Sequence, residues 1–255
     1  MYDFIMQQVT TEIVNRTSQI VICSMKYRHL FFDLDHTLWD FETNAKETMQ
    51  EVYDLNALQE KGVTDFDQFF ERYSHHNERL WSRYTKGFIK QEDLRWKRMW
   101  FALLDFKIGD DKLSKEMSGH FLERLPFKKK LFPYTIEILE YLKAKNYKLH
   151  LITNGFDHIQ FSKLTSSNLT HYFEEVITSE ASQSLKPNKE IFEYALHKTG
   201  ADKNESIMIG DNLEADIQGG MNAGLDTIFV NHLRIETQVQ PTFIIYHLKE
   251  LEDIF

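Results

Sequence analysis

Two aspartates stand two residues apart at the end of an apolar run near the start of the chain, in the stretch Phe31-Phe32-Asp33-Leu34-Asp35. Ionised carboxylates this close repel one another, and a cation or a shared proton relieves the repulsion. A second apolar run ends before Asp211, and Asp216 follows about one helical turn later. Because Mg²⁺ binds few protein oxygens and takes the rest from water or phosphate, these carboxylates together predict a magnesium site. Each aspartate alone is equally well explained as a helix cap.

Two further polar sites are a pair of residues that follows a third apolar run and a lysine that precedes a proline in a loop. Thr153 and Asn154 come directly after Ile152, and Lys186 precedes Pro187. A lysine in that place could neutralise phosphate oxygens, although a lone loop lysine is more often simply solvated. These residues therefore predict a phosphate-binding pocket only if the segments that carry them lie side by side.

The order of strands and helices predicts that they do. Short apolar runs alternate with helical segments, which is typical of an α/β fold with a doubly wound, mostly parallel (Rossmann-like) sheet. In such sheets ligands bind beyond the carboxyl ends of the strands, where these polar residues fall. A helix is predicted to begin at Pro133, since proline favours the first helical position. Strands are predicted at 29–33, 148–152, 175–177, 206–209, 227–230 and 243–246.

A helical insert is predicted between the first strand and the rest of the sheet. Only four glycines fall between Leu38 and Leu125, and apolar residues there recur at helical spacing over 45–58, 65–84 and 94–104. We therefore expect an N-terminal extension, a Rossmann-like catalytic core and an inserted helical cap. The expected bounds are 1–25 for the extension, 26–40 with 126–255 for the core, and 41–125 for the cap.

The composition argues against several classes of protein. Thirty Lys and Arg against thirty-nine Asp and Glu give a net charge of −9, whereas a general nucleic-acid binder needs a basic surface. Cys23 is the single cysteine, so an intrachain disulfide is excluded and a reducing compartment fits. No run approaches the roughly 18 apolar residues of a membrane span. We expect a cytoplasmic protein whose partner is a small molecule, not a nucleic-acid polymer or a membrane.

Four motifs together resemble, in order and spacing, those of the haloacid dehalogenase-like (HAD) hydrolase superfamily, in the group whose helical cap follows the first strand. They are Asp-Leu-Asp-His-Thr (33–37), Thr-Asn-Gly (153–155), Lys-Pro-Asn (186–188) and Gly-Asp-Asn-Leu-Glu-Ala-Asp (210–216). The resemblance covers roughly residues 28–250. It implies a Mg²⁺-dependent phosphomonoester hydrolase that works through an aspartyl-phosphate.

The resemblance also implies catalytic roles for individual residues. Asp33 would be the nucleophile that takes the phosphoryl group. Asp35 would protonate the leaving oxygen and then activate the water that hydrolyses the intermediate. Thr153 and the backbone N–H of Asn154 would hold phosphoryl oxygens, while Lys186 would offset the charge on nucleophile and phosphate.

A metal site follows from the same resemblance. Asp33, the carbonyl of Asp35 and Asp211 would hold Mg²⁺, which stabilises the charge of the transfer. Asp216 would orient Lys186 or support the metal's surroundings without ligating directly, and Asn212 belongs to the same supporting set.

Within the superfamily, the insert and the opening Leu38-Trp39-Asp40-Phe41 look like the bacterial pyrimidine 5′-nucleotidase branch, which dephosphorylates nucleoside monophosphates. A sugar-phosphate phosphatase or phosphomutase stays open as an alternative. A haloacid dehalogenase is disfavoured because that chemistry lacks the second aspartate, here Asp35. A phospho-accepting signalling module is disfavoured by the insert. For any single aromatic residue of the cap, packing in a helical bundle is the commoner explanation. The candidates for contacting a base are Trp39, Phe41, Asn77, Trp81 and Tyr84.

Overall fold

The computed structural model describes residues 26–255, so the predicted extension 1–25 lies outside the described residues. The described chain divides into two compact units. The sheet unit comprises residues 26–39, Leu131–Asp157 and Leu169–Phe255, and the helical unit comprises Asp40–Lys130 and His158–Asn168. The helical unit thus contains the predicted insert 41–125 together with a second segment that the sequence did not indicate.

The sheet unit is built on a parallel sheet, which confirms the predicted α/β class. Within the described residues the sheet has six strands in the order β3-β2-β1-β4-β5-β6, and every neighbouring pair runs parallel. Each strand was predicted to within two residues at either end. The strands are β1 (His29–Phe32), β2 (Lys148–Thr153), β3 (Glu175–Thr178), β4 (Ser206–Gly210), β5 (Asp226–Val230) and β6 (Phe243–Ile245).

The two central strands are buried along their whole length, because a parallel sheet is covered on both faces. One apolar cluster of the sheet unit gathers side chains of four strands and of one helix. Its fully buried members include Phe31, Ile152, Ile177, Phe192 and Met208. The rigid centre of the sheet therefore lies directly beneath the residues that follow β1, β2 and β4.

Helices fill the rest of the fold. In chain order they are α1 (Phe41–Leu55), α2 (Phe66–Thr85), α3 (Gln91–Asp105), α4 (Asp111–Arg124), α5 (Thr135–Ala144), α6 (Asp157–Ser166), α7 (Ser179–Ser182), α8 (Lys189–Thr199) and α9 (Gly219–Asn222). A single π-helical turn, Leu213–Gln218, follows β4. Short 3₁₀ turns lie at Leu125–Phe127, Thr170–Tyr172, Lys203–Glu205 and Leu248–Asp253. No helix among residues 26–255 combines the length and apolarity needed to cross a membrane.

Three helices of the helical unit begin in the same way. Asp40, Asp65 and Asp110 precede α1, α2 and α4, and each side chain accepts the backbone N–H three residues later at 2.9–3.0 Å. Such caps satisfy N–H groups that the first helical turn leaves without partners, and each contributes about 1 kcal/mol. The capping bonds of these three aspartates therefore define where the helices start.

The predicted start of the helix at Pro133 is wrong by two residues. Tyr134 adopts a left-handed backbone with φ of 72°, and α5 begins at Thr135. The proline ring favours helical φ only for its own residue, so it does not prevent the next residue from leaving the helical region. The consequence is a sharp entry into α5 that the sequence pattern did not indicate.

Candidate active site

The strand register brings the first two acidic motifs together. Phe32 of β1 pairs with Ile209 of β4, and the N–H of Asp33 donates to the carbonyl of Ile209 at 2.8 Å. Asp33 therefore leaves β1 beside the point where Gly210 leads into Asp211. Both side chains emerge at the carboxyl edge of the sheet, as expected for adjacent parallel strands.

Lys186 is the cation at the centre of this edge. Its side chain is 2% exposed, and its Nζ lies 2.5 Å from Asp33 Oδ1 and 2.6 Å from Asp216 Oδ1. The same ammonium donates to the carbonyl of Ile152 at 2.7 Å. An ammonium has three protons, and three acceptors surround this one. Burial alone lowers the pKa of Lys186, but the two carboxylates outweigh it and raise the pKa, so the lysine stays charged.

Asp216 is held from two sides, and a glycine makes room for it. Its Oδ2 accepts the N–H of Asn212 at 3.0 Å, while the Asn212 side chain caps the π-helical turn through the N–H groups of Glu214 and Ala215. A Cβ at Gly210 would lie 2.3 Å from Asp216 Oδ2, closer than any real contact. The absence of a side chain at Gly210 is therefore what allows Asp216 to reach Lys186.

Asp211 takes a supporting hydrogen bond from the first motif. Thr37 Oγ1 donates to Asp211 Oδ1 at 2.9 Å. Burial first, and the charge of Asp216 second, raise the pKa of Asp211 to about 7, while the bond from Thr37 lowers it. Burial and the neighbouring carboxylates Asp216 and Asp211 likewise raise the pKa of Asp33, against the lowering effect of Lys186. The site thus concentrates more negative charge than one lysine offsets.

Three of these carboxylates form a group that fits a hard cation. One oxygen each of Asp33, Asp211 and Asp216 lies within 4.8 Å of the others. All the donors are carboxylate oxygens, which Mg²⁺ prefers, and a dication would offset the burial and the mutual repulsion that together raise the pKa values of Asp33 and Asp211. Asp216 already bonds Lys186 and the Asn212 N–H, so Asp33 and Asp211 have the freer oxygens for a metal.

The predicted phosphate-binding segment ends β2. Thr153 is 2% exposed, and its hydroxyl accepts the N–H of Gly155 at 3.1 Å. The Asn154 side chain makes two hydrogen bonds with the backbone of Lys186. Sequence reasoning assigned only the backbone of Asn154, so this use of its side chain is new.

Asp35 and Trp39 belong to the turn that follows β1. The Asp35 carboxylate is not a member of the three-carboxylate group, in keeping with the expectation that Asp35 would contact a metal through its carbonyl and leave its carboxylate for proton transfer. Asp35 and Trp39 form an isolated parallel bridge, and the N–H of His36 donates to the Trp39 carbonyl at 2.9 Å. The Trp39 side chain is fully buried in this structure, and its predicted contact with a base stays a prediction.

The other predicted base-contacting residues lie in the helical unit. Asn77 Oδ1 accepts a hydrogen bond from Arg98 at 3.0 Å, which fixes the amide N–H₂ group as the donor of this side chain. The rings of Trp81 and Tyr84 meet edge to face with centroids 5.7 Å apart. The ring centroid of Phe41 lies 5.5 Å from Nζ of Lys163. All four residues are half-buried.

Sequence reasoning missed the roles of two residues at the site. Thr37 supports Asp211, and Gly210 admits Asp216. Thr37 belongs to the motif at 33–37 and Gly210 to the motif at 210–216, so the sequence indicates that both lie near the site. The role of Thr37 depends on a contact with a residue 174 positions away in the chain. The role of Gly210 depends on the close approach of Asp216, which the sequence does not indicate.

Comparison with known proteins agrees with this geometry. Residues 27–224 match the sequence profile of the haloacid dehalogenase-like hydrolases. The pyrimidine 5′-nucleotidase PynA of Streptococcus pneumoniae is 35% identical over 232 residues, which cover 90% of this chain and 95% of PynA. The pyrimidine 5′-nucleotidase YjjG of Escherichia coli is 32% identical over a match that covers 90% of this chain and 98% of YjjG. The magnesium-bound structure of the HAD-hydrolase YfnB from Bacillus subtilis superposes with a TM-score of 0.81 at 26% identity. This superposition covers 90% of this chain and 98% of the YfnB chain.

Proposed function

The chain belongs to the haloacid dehalogenase-like hydrolase family, and we propose that it is a Mg²⁺-dependent phosphatase that removes the 5′-phosphate of pyrimidine nucleoside monophosphates. The observation that carries the phosphatase part is the buried cluster in which Lys186 bridges Asp33 and Asp216 beside Asp211. The pyrimidine part is supported by the two nucleotidases that match nine-tenths of this chain.

The residues of the sheet unit divide the reaction between them. Asp33 attacks the phosphorus and becomes an aspartyl-phosphate as the P–O bond to the nucleoside breaks. Asp35 gives its proton to the departing 5′-oxygen and then takes a proton from the water that attacks the phosphorus. Thr153 and the Asn154 N–H hold phosphoryl oxygens. The attack of water on the aspartyl-phosphate returns Asp33 as a free carboxylate and releases inorganic phosphate.

The charge balance of the site gives Mg²⁺ and Lys186 separate tasks. Asp33, Asp211 and the Asp35 carbonyl would hold the ion, with Asn212 and Asp216 supporting them, and bound Mg²⁺ supplies electrostatic stabilisation of the phosphoryl charge. Lys186 favours the ionised form of Asp33 and orients it, because its ammonium is fixed by three acceptors. An ionised, oriented Asp33 is the condition for nucleophilic attack.

Recognition of the base is assigned to the helical unit. Asn77 is the strongest candidate there, since Arg98 fixes its amide with the N–H₂ group as donor. Every pyrimidine nucleobase carries a carbonyl acceptor at O2, whereas adenine has none. Trp81, Tyr84 and Phe41 are candidates for stacking, which contributes roughly 1–3 kcal/mol per base but does not choose among bases. Preference therefore depends on polar groups and pocket size.

A substrate panel tests the proposal. Release of inorganic phosphate is measured with uridine, thymidine, adenosine and guanosine 5′-monophosphates and with small sugar phosphates, in excess Mg²⁺. We expect kcat/KM to be at least tenfold higher for the pyrimidine nucleotides. Equal efficiency across the panel, or a higher value for a sugar phosphate, would refute the nucleotide assignment. Turnover of 2-haloacids without phosphatase activity would refute the phosphatase chemistry itself.

A further inference from the structure

The backbone of Lys186 lies in a segment without helix or strand, between α7, which ends at Ser182, and α8, which begins at Lys189. A buried lysine that aims at a nucleophile needs a fixed backbone as well as a fixed ammonium. Regular secondary structure does not supply it here. The contacts of the Lys186 peptide groups therefore decide how well its ammonium is placed.

The side chain of Asn154 supplies that fixation. Its Nδ2 donates to the carbonyl of Lys186 at 2.9 Å, and its Oδ1 accepts the N–H of Lys186 at 2.7 Å. The amide thus pairs with both backbone groups of a single residue, much as a neighbouring strand would. Asn154 is held in turn by Ser179, whose hydroxyl donates to the Asn154 carbonyl at 3.2 Å.

Lys186 is consequently attached to the end of β2 through its backbone and through its ammonium. The Asn154 side chain holds its backbone, and the carbonyl of Ile152 accepts from its ammonium at 2.7 Å. Ile152 and Asn154 flank Thr153, which we assign to the phosphoryl group. The same three residues therefore set the distance between the phosphate-binding hydroxyl and the cation.

We propose that the Asn154 side chain is a positioning residue, which acts on catalysis by holding the backbone of Lys186 so that its ammonium bridges Asp33 and Asp216. This inference rests on the proposed function in that Lys186 is taken to serve phosphoryl transfer. It assigns the side chain a task separate from that of the Asn154 backbone N–H, which would bind the phosphoryl group in any residue type.

An amide is required for this task. Aspartate has the same shape but offers only acceptors when ionised, so Asn154→Asp keeps a partner for the Lys186 N–H and places a carboxylate oxygen against the Lys186 carbonyl. Two facing oxygens repel, and the loop moves away. A displacement of about 1 Å at a catalytic group can lower a rate about a hundredfold.

The chain contains a matched control for this change. Asn231 brackets Ile235 in the same way, with Nδ2 donating to the Ile235 carbonyl at 2.8 Å and Oδ1 accepting its N–H at 2.9 Å. Asn231→Asp therefore removes the same pair of interactions at a residue with no role assigned in the site. Any general effect of the substitution on folding is common to both variants.

The experiment compares Asn154→Asp, Asn231→Asp and the unchanged protein, with a generic aryl phosphate as substrate and Mg²⁺ present. We expect Asn154→Asp to lower kcat by ten- to a hundredfold with KM changed less than threefold, and Asn231→Asp to keep kcat within twofold. Crystal structures of both variants should show Lys186 Nζ displaced from Asp33 only in Asn154→Asp. If the aspartate variant does not fold, Asn154→Ala and Asn231→Ala replace the pair.

Two results would overturn the inference. One is unchanged kcat in folded Asn154→Asp or Asn154→Ala, and the other is a lower kcat with Lys186 still bonded to Asp33 and Asp216. Failure of the proposed function gives a different result, since the unchanged protein would then not hydrolyse the aryl phosphate at all. The outcomes are therefore distinguishable.

Discussion

At the scale of single residues, the site depends on close approaches that leave no spare volume. Asp216 reaches Lys186 across a position where any side chain would collide with it, since a Cβ at Gly210 would lie 2.3 Å from its Oδ2. The arrangement of three charges in the candidate site therefore depends on a residue that carries no chemistry of its own.

Substitution of this glycine tests the dependence. Gly210→Ala should displace Asp216, lower kcat by at least about tenfold and lower the free energy of unfolding by roughly 1–3 kcal/mol, as overpacking does. Gly119→Ala is the control, because nothing lies within 4 Å of its added methyl group inside α4. That helical change should raise the free energy of unfolding by about 0.5–1 kcal/mol and leave kcat unchanged. Full activity in Gly210→Ala would show that Asp216 can move without consequence.

In the proposed site, a proton and Mg²⁺ would compete for Asp211. Burial and the charge of Asp216 raise its pKa to about 7, so without metal it binds a proton as the pH falls below 7. Mg²⁺ needs the ionised form, and its apparent affinity must therefore fall with decreasing pH. We expect the Mg²⁺ concentration for half-maximal activity to be about tenfold higher at pH 6 than at pH 8, and exhaustive chelation to abolish turnover. A metal requirement that is absent, or independent of pH over this range, would contradict the assignment of Asp211.

At the scale of elements, β1 and β2 carry a buried pair of histidines beneath the site. His29 Nδ1 lies 3.0 Å from His150 Nε2, and His150 stacks on Phe31 with ring centroids 4.9 Å apart. Only one proton can lie between the two facing nitrogens. Burial first, and the charge of His29 second, lower the pKa of His150 from 6.5 to about 3.

This pair makes the stability of the sheet sensitive to acid. The unfolded chain binds a proton at His150 below its ordinary pKa, whereas the folded chain does not until about pH 3, so the free energy of unfolding falls as the pH decreases. Between pH 7 and pH 5 the loss from His150 is about 2 kcal/mol. Urea unfolding at both values should show this loss in the unchanged protein and in His158→Gln, which alters an exposed histidine, but a smaller loss in His150→Gln. Equal losses in all three proteins would contradict the account.

The strands and the polar residues at their ends could be predicted from the sequence, because Asp33, Thr153 and Asp211 each follow a short apolar run. Parallel strands bring such residues to one edge of the sheet. The helix starts were only partly accessible: the predicted range 65–84 matches α2 to one residue, but the range 45–58 begins four residues after the start of α1, and α4 was not predicted. The start of α5 was not, because the left-handed turn at Tyr134 is set by tertiary packing and not by the adjacent Pro133.

At the scale of the whole molecule, the site joins segments that are remote in sequence. Lys186 and Asp33 are 153 residues apart, and Asp211 meets Thr37 across 174. Motif order predicted which residues would meet, but not how they meet. Neither the use of the Asn154 side chain on the Lys186 backbone nor the complete burial of Trp39 has a signature in the sequence, because both arise from the packing of distant segments.

The central claim is that this assembled site makes Asp33 a nucleophile toward a phosphate ester. The chain is mixed with uridine 5′-monophosphate and Mg²⁺, quenched during turnover and treated with borohydride, which reduces an aspartyl-phosphate to homoserine. Peptide mass spectrometry then identifies the modified residue, with Asp33→Asn as the control. We predict substrate-dependent homoserine at position 33 and none in Asp33→Asn, which should fold but not turn over. Continuous phosphate release with position 33 unmodified, or reduction at another aspartate, would contradict the account.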